Sequence, residues 1–253
     1  MGWDFVNMKI RLLGTNGWYD NANGDTPCVL VQTGEFDILF DAGYGFAKAG
    51  QFMDAKKPSF LFLSHFHYDH LIGLHTLAKF RFERGLRVFG LAGIQKVMAD
   101  FFNPTFTIPL SDMNFQVSFE ELDGKAEGLP FKISALPLVH SGPCQGYRLE
   151  IEGHTITYCT DTGYCANAVT LSRQADLLMS ECSLAAGTDG IPQWPHLNPS
   201  LAARIASEAE VKRLVLVHFD AAGGIEQRKA AENEARRIFP ATFAGQDGMV
   251  FDL

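Results

Sequence analysis

With 253 residues, of which 47% are hydrophobic and 20% charged, the chain is long enough to bury a sizeable core. Its formal net charge of −8 and the lack of a basic run argue against binding an extended nucleic acid. It contains no uninterrupted apolar stretch of roughly eighteen residues, so a membrane span is not expected.

The amino terminus and the cysteines predict the cellular compartment of the protein. The chain begins MGWDFVNMKIRLLG, without an apolar block and a small-residue cleavage site, so a secretory signal is not expected. Val6 stands where N-myristoylation requires serine or threonine. The cysteines are odd in number and include no CxxC pair, which favours reduced thiols in a cytoplasmic protein. These cysteines are Cys28, Cys144, Cys159, Cys165 and Cys182.

The first half of the chain predicts strands followed by helices. The strand-like runs are KIRLL, PCVLVQT and FDILFDAG, the last ending in a glycine turn. SFLFLSH is a short continuous apolar run that suits a buried strand, and LIGLHTLAKFRF follows it with helical spacing. A second round begins with the strand LRVFG and continues with a predicted helix from Leu91 to Phe102.

The second half repeats this alternation. Residues 115–138 are strand-like, and YRLEIEGHTITYCTD predicts a hairpin that turns at Glu152 and Gly153. NPSLAARIASEAEVKRLVLVHF predicts a helix capped by Asn198, with Pro199 at its first position, and then a buried strand. No low-complexity linker or internal repeat divides the sequence, so we expect a single domain over residues 1–253.

The stretch HFHYDH crowds three of the eight histidines and an aspartate into six residues. Alternate residues of an extended segment face one side, so His65 and His67 can reach one ion together. Asp69 and His70 come as the chain turns into a helix and point to a neighbouring position. Four such side chains are costly in an apolar setting without a shared partner. The cluster therefore predicts a site for two metal ions, of zinc, iron or manganese.

Three further candidate ligands each follow an apolar strand. LPLVHSG places His140 at such a point, ITYCTDTG places Asp161, and LVLVHF places His218. A lone histidine at a strand end is more often a core or surface residue, but beside the cluster these residues become candidates for the same site. Because an aspartate can give one oxygen to each of two metals, we predict a binuclear centre at the sheet edges.

The HxHxDH pattern and the order of the later ligands resemble those of the metallo-β-lactamase superfamily, from LLGTNG to LVLVHF. The resemblance implies an α/β fold, a four-layer αβ/βα sandwich of two mixed β-sheets with helices outside. It also implies two divalent metal ions, with zinc favoured over manganese or iron. The implied ligands are His65, His67 and His140 for one metal, Asp69, His70 and His218 for the second, and Asp161 as the bridge.

Two features are similar to the ribonuclease Z-like and phosphodiesterase branch. LLGTNG resembles the glycine-containing turn after that branch's first strand. His196 stands where the branch has a histidine that assists the reacting phosphate, and Glu181 stands where it has a carboxylate that orients this histidine. The usual His-Ser-Thr reads His-Leu-Asn here. The resemblance implies Asp69, His196 and Glu181 as catalytic residues, with His196 as the general acid; a capping or surface role for His196 is the alternative.

The expected substrate is a small anionic phosphodiester, such as a cyclic nucleotide or a cyclic sugar phosphate. Transfer-RNA-processing members of the branch carry a long arm between the ligands that correspond to His140 and Asp161. Only twenty residues intervene here, enough for a hairpin alone. Together with the negative charge, this spacing predicts no extended nucleic acid and no membrane as partners.

Other interpretations of the same residues remain open. A lactonase or a thioesterase would use the same metal centre, and a metal-binding sensor or effector would keep it with little turnover. Residues 100–113, which include Phe101 and Phe102, are interpreted as a lid over the site or, equally, as surface packing or a homodimer contact.

Overall fold

The structure is a computed structural model that describes residues 8–126 and 128–253. The expectations on secretion and myristoylation depend on the first residues of the chain and lie outside the described residues.

Strands and helices alternate along most of the described chain. In chain order the strands are β1 (Lys9–Gly14), β2 (Asn16–Gly17), β3 (Cys28–Gln32), β4 (Asp37–Phe40), β5 (Ser59–Phe62), β6 (Leu86–Gly90), β7 (Val117–Glu121), β8 (Lys132–Pro137), β9 (Gln145–Ile151), β10 (His154–Cys159), β11 (Leu177–Cys182), β12 (Leu214–Asp220), β13 (Thr242–Ala244) and β14 (Val250–Asp252). The α-helices are α1 (Tyr68–Leu71), α2 (Ile94–Phe101), α3 (Ala166–Ser172), α4 (Pro199–Glu208) and α5 (Ile225–Arg236). The 3₁₀ helices cover Tyr44–Gln51, Ile72–Lys79 and Leu110–Asp112.

The chain forms two compact units, each built on one mixed sheet. The first unit comprises Pro27–Glu121 and the flanking segments that end at Gly14 and begin at Asp247. Its sheet has the order β14-β1-β3-β4-β5-β6-β7. The pairs from β14 to β4 are antiparallel and those from β4 to β7 are parallel. The run SFLFLSH supplies β5, which is buried along its whole length, as expected of a strand inside a parallel sheet.

The second unit comprises Thr15–Thr26 and Leu122–Gln246. Its sheet has the order β13-β12-β11-β10-β9-β8, and β2 also pairs with β12. Strands β10 to β13 are parallel, whereas β8, β9 and β10 form antiparallel pairs. The hairpin predicted between β9 and β10 is confirmed, and its turn residues Glu152 and Gly153 have φ of 52° and 82°, as a two-residue hairpin turn requires.

Helix α4 starts where the sequence predicts. The Oδ1 of Asn198 accepts the N–H of Leu201 at 2.9 Å, and Pro199 is the first helical residue. This cap satisfies one of the backbone donors that a helix start leaves unpaired. The helix then buries Ala202, Ala203, Ile205 and Ala206 in the apolar core of the second unit.

Two helix predictions are only partly confirmed. The helix expected from Leu91 begins at Ile94, because Gly93 has a φ of 86° and lies outside helical geometry. The helix expected in LIGLHTLAKFRF is one α-helical turn that ends at Leu71, followed by the 3₁₀ segment. A φ of −123° at Leu71 separates these two pieces.

The predicted fold class, an α/β fold with two mixed sheets and helices, is confirmed. The expectation of a single domain over residues 1–253 stays a prediction. Within the described part of the chain, every helix is too short or too polar to span a bilayer.

Candidate metal centre

In the second unit, neighbouring strands end at one edge of the sheet and bring the predicted residues together. Strands β10, β11 and β12 are parallel, so their carboxyl ends meet at the same edge. Asp161 follows β10, Glu181 lies near the end of β11, and His218 lies near the end of β12. His140 follows β8, which runs in the same direction as β10 because each is antiparallel to β9.

The carboxylate of Asp161 faces two different histidines. Its Oδ1 lies 3.0 Å from Nε2 of His218, and its Oδ2 lies 3.8 Å from Nε2 of His140. The side chains of all three residues are buried. Asp161, His196 and His218 also form a group in which one candidate ligand atom of each residue lies within 4.8 Å of the others.

A β-bulge places His218 in this group. Glu181 pairs with Val217 and Cys182 pairs with Phe219, so His218 is an extra residue on β12. Its φ is 53°, a left-handed conformation that histidine adopts more readily than most residues. A bulge of this kind redirects a side chain at the end of a strand.

Ser183 sets the tautomer of His218. The Ser183 Oγ lies 2.8 Å from His218 Nδ1 and donates to the His218 carbonyl at 2.9 Å. The serine proton is used in that second bond, so the oxygen accepts from Nδ1–H. Nε2 therefore carries the lone pair.

Gly17 allows the His218 ring its position. A Cβ on Gly17 would lie 2.7 Å from Nδ1 and 2.8 Å from Nε2 of His218, closer than real Cβ contacts allow. The first-strand turn LLGTNG thus has a steric reason for its second glycine. The sequence drew attention to this turn but not to its contact.

His196 and Glu181 form the pair that the resemblance implies. His196 Nδ1 lies 2.9 Å and 3.0 Å from the two carboxylate oxygens of Glu181. Glu181 is fully buried, and its carboxylate also accepts the backbone N–H groups of Thr162 and Leu197. Because these hydrogen bonds fix the Glu181 carboxylate, it keeps the His196 imidazole in one orientation, with the proton on Nδ1.

In the first unit, the histidines of HFHYDH pack against one another. The ring of His65 lies 4.4 Å from that of His67 and 4.2 Å from that of His70, measured between centroids. Nε2 of His70 lies 3.4 Å from Oδ2 of Asp69. His67 has an extended backbone just before α1, and Asp69 and His70 lie within α1. The predicted change from an extended segment to a helix start is therefore confirmed.

Asp41 organises this cluster and was not among the site residues predicted from the sequence. Its Oδ1 accepts the Ser64 N–H at 2.7 Å, and its Oδ2 accepts the Ser64 hydroxyl at 2.8 Å. Oδ2 also lies 2.7 Å from Nδ1 of His70. The signal that could have revealed Asp41 is its place directly after the apolar strand β4, which is similar to the place of Asp161 after β10.

The donor atoms in both units fit divalent transition metals. Among the five candidate ligand histidines, Nδ1 contacts a protein oxygen in His65, His70 and His218. This arrangement puts the lone pair on Nε2, as histidine ligands require. Two atoms bound to one zinc ion lie roughly 3.3 Å apart. The histidine nitrogens and aspartate oxygens given above are similarly spaced, at 3.4 Å in the first unit and at 3.0 and 3.8 Å in the second. Imidazole nitrogens with carboxylate oxygens suit zinc, iron or manganese.

The lid interpretation is wrong for two of its residues. Phe102 is buried in the apolar core of the first unit, and Phe101 packs against the same core. The reason is that Phe101 is the last residue of α2 and Phe102 follows it directly, and this helix buries Ile94 and Met98 in the same core. The exposed aromatic of this segment is Phe106.

Comparison with known sequences identifies the family. Residues 37–219 match the family described as "Beta-lactamase superfamily domain". The probable metallo-hydrolase YhfI of Bacillus subtilis (strain 168) is 28% identical over 238 residues, which cover 92% of this chain and 94% of that protein. Ribonuclease Z of Metallosphaera sedula is 25% identical over 295 aligned positions, which cover 95% of this chain and 97% of the relative.

Solved structures agree with this assignment. The crystal structure of the metallo-beta-lactamase fold protein YhfI from Bacillus subtilis superimposes with a TM-score of 0.82 at 27% identity, covering 98% of this chain and 100% of that chain. Human tRNase Z, short form, shares the fold with a TM-score of 0.75 at 22% identity, covering 96% and 98% of the two chains. The chain therefore belongs to the β-lactamase superfamily and is a metallo-hydrolase of the metallo-β-lactamase fold.

Proposed function

We propose that this chain hydrolyses small phosphodiesters at a binuclear metal centre. The observation that carries the proposal is the Asp161 carboxylate, whose two oxygens face His218 at 3.0 Å and His140 at 3.8 Å. A single carboxylate placed between candidate ligands of two different ions would be able to serve both of them. A site for one ion would need only one of these contacts.

The family pattern divides the ligands between the two ions. In this assignment His65, His67 and His140 would hold one ion, Asp69, His70 and His218 would hold the other, and Asp161 would be shared by both. Zinc is the proposed metal, with manganese or iron as alternatives that the same donor atoms accept.

The residues around Asp161 supply the rest of the chemistry. Bound cations of this kind lower the pKa of water to about 7 and neutralise charge on a phosphoryl group. His196, when protonated, carries a proton on Nε2 that it can give to the leaving oxygen. Glu181 accepts from Nδ1 of His196 throughout, so the ring keeps its direction while the proton leaves. Asp69 takes part as a ligand of the second ion.

The relatives and the hairpin favour a phosphodiester of small size. Ribonuclease Z relatives are named for activity on RNA, and RNA strands are joined by phosphodiester bonds. In this chain, however, the segment between His140 and Asp161 is filled by β9, β10 and their two-residue turn. No arm extends from it, and the net charge is −8, which disfavours a long polyanion.

A substrate screen tests the proposal. The zinc-loaded protein would be assayed with bis(p-nitrophenyl) phosphate, a 2′,3′-cyclic nucleotide, a lactone and a thioester. We expect turnover of the phosphodiesters. Asp161→Ala should lower the rate of turnover by orders of magnitude. Asp112→Ala, which removes an exposed carboxylate elsewhere, should leave the rate unchanged. Rapid lactone or thioester hydrolysis with phosphodiesters untouched would overturn the choice of substrate. Metal binding without any turnover would favour a sensor or effector.

A further inference from the structure

Two tryptophans form an exposed stack beside His196, outside the metal centre described above. The rings of Trp18 and Trp194 lie 5.6 Å apart between centroids, with their planes at 29°. Trp194 lies in turn 5.5 Å from the ring of His196. Trp18 is 72% exposed and Trp194 is 43% exposed. Contiguous exposed apolar surface of this kind often marks a binding site, unlike a single exposed apolar residue.

The loop that carries Trp18 is shaped to present it. The N–H of Tyr19 donates to the carbonyl of Gly17 at 2.9 Å, and Trp18 between them has a φ of 68°. This pattern is that of a γ-turn with a positive central φ, which is rare for a bulky residue. Strained residues of this kind persist where the surrounding structure holds them for a function.

Buried polar contacts hold the loop in this shape. The Asn16 amide donates to the carbonyl of Gly24 at 2.7 Å. The guanidinium of Arg228, which is only 2% exposed, donates to the Asn16 side-chain oxygen and to Thr15 Oγ1. Since Gly17 packs against His218, one short loop both supports a metal ligand and displays Trp18.

We propose that Trp18 and Trp194 bind the base of a nucleotide substrate. This inference rests on the proposed function and names its substrate class: a nucleoside phosphodiester, such as a cyclic nucleotide, rather than a base-free cyclic sugar phosphate. Indole is the largest aromatic side chain, and bases stack on such rings without needing a cation. Stacking therefore suits a chain of net charge −8. His196 lies next to the stack, so the sugar that receives its proton can carry a base onto the indoles.

A kinetic comparison tests the inference on the zinc-loaded enzyme. The substrates are adenosine 2′,3′-cyclic phosphate and methyl riboside 2′,3′-cyclic phosphate, which share the reacting group and differ in the base. We expect Trp18→Ala and Trp194→Ala to raise KM for the adenosine compound about tenfold, with kcat little changed. KM for the base-free compound should stay constant in both variants. Trp18→Phe should retain most of the affinity for the adenosine compound. The control Phe106→Ala, which removes an exposed aromatic elsewhere, should match the parent protein.

A binding measurement needs no turnover. Adenosine 5′-monophosphate should quench the tryptophan fluorescence of the parent protein and of Phe106→Ala, whereas ribose 5-phosphate should not. Trp18→Ala should weaken the affinity obtained from this quenching, so that half-maximal quenching needs a higher concentration of adenosine 5′-monophosphate.

The outcomes separate the two proposals. Quenching by adenosine monophosphate that is weakened in Trp18→Ala, without hydrolysis of any phosphodiester, would support the base site and refute the proposed function. Hydrolysis of both cyclic phosphates with equal KM, unchanged in Trp18→Ala, would refute the base site and leave the proposed function standing. Equal quenching by both monophosphates would also refute it.

Discussion

Two candidate ligands and one residue that contacts a candidate ligand hold a backbone conformation that side chains seldom adopt. Asp41, Asp161 and His218 have φ of 55°, 57° and 53°. Each comes at or just after the carboxyl end of a strand, where the chain must turn sharply to present a polar side chain. Aspartate and histidine tolerate this region better than most residues, and such strain is concentrated at functional sites.

Gly17→Ala should disturb the metal centre through sterics alone. The new Cβ would overlap the His218 ring, so the ring or the loop must move. We expect weaker metal binding and a stability loss of about 1–3 kcal/mol, measured by metal titration and urea unfolding. Gly142→Ala is the control, since a Cβ there meets no atom within 4 Å. Equal behaviour of the two variants would contradict the proposed role of Gly17.

Asp41→Asn should weaken metal binding while the chain stays folded. Asparagine tolerates a positive φ, but its amide nitrogen cannot accept a proton from His70 or Ser64. Loss of such an orienting contact typically reduces metal affinity about 10- to 100-fold, which competition with a chelator would measure. The control is Asp37→Asn at the other end of β4, where the carboxylate accepts the Asp54 N–H at 2.9 Å. Unchanged zinc affinity in Asp41→Asn would refute the role.

At the scale of elements, local sequence signals predicted some of the features that local chemistry decides, although the helix start after Gly93 was missed. The correctly predicted cases are the Asn198-Pro199 start of α4 and the Glu152-Gly153 turn. The bulge at His218 could not be predicted, because it arises from pairing with β11, which is distant in sequence. The break at Leu71 falls at the start of a run with helical spacing, LIGLHTLAKFRF. Asp41 was missed because its partners, Ser64 and His70, lie more than twenty residues away along the chain.

Removal of the α4 cap should destabilise the second unit modestly. Asn198→Ala deletes the acceptor for the Leu201 N–H and should cost about 1 kcal/mol in the free energy of unfolding. Asn198→Asp keeps that acceptor but loses the 2.7 Å donation to the Thr188 carbonyl. We therefore expect urea unfolding to rank the parent protein above Asn198→Asp and Asn198→Ala last. An equal loss in both variants would assign the effect to the Thr188 contact instead.

At the scale of the whole molecule, the order of candidate ligands along the sequence predicted the family correctly, whereas the metal site that these residues would form stays a prediction. Parallel strands bring their carboxyl ends to one sheet edge, so residues after apolar strands could be assigned together. The substrate surface could not be predicted in this way. Trp18 and Trp194 meet across more than 170 residues of sequence, and neither belongs to a recognisable motif.

Thiol reactivity should follow burial across the molecule. Cys28, Cys144, Cys159 and Cys182 are buried, and Cys165 is partly exposed. Burial raises the pKa of the Cys28, Cys159 and Cys182 thiols, so they stay protonated and unreactive at neutral pH. A thiol-specific reagent should modify Cys165 alone in the native protein and all five cysteines after denaturation. Rapid native modification of two or more would contradict this packing.

Metal content tests the proposed binuclear centre most directly. Elemental analysis of the purified protein, after incubation with zinc and removal of excess metal, should give about two ions per chain. Asp161→Ala, which loses the bridge, should retain fewer, whereas Asp112→Ala should match the parent protein. Fewer than two ions in the parent protein after incubation with zinc, manganese or iron would contradict a binuclear centre.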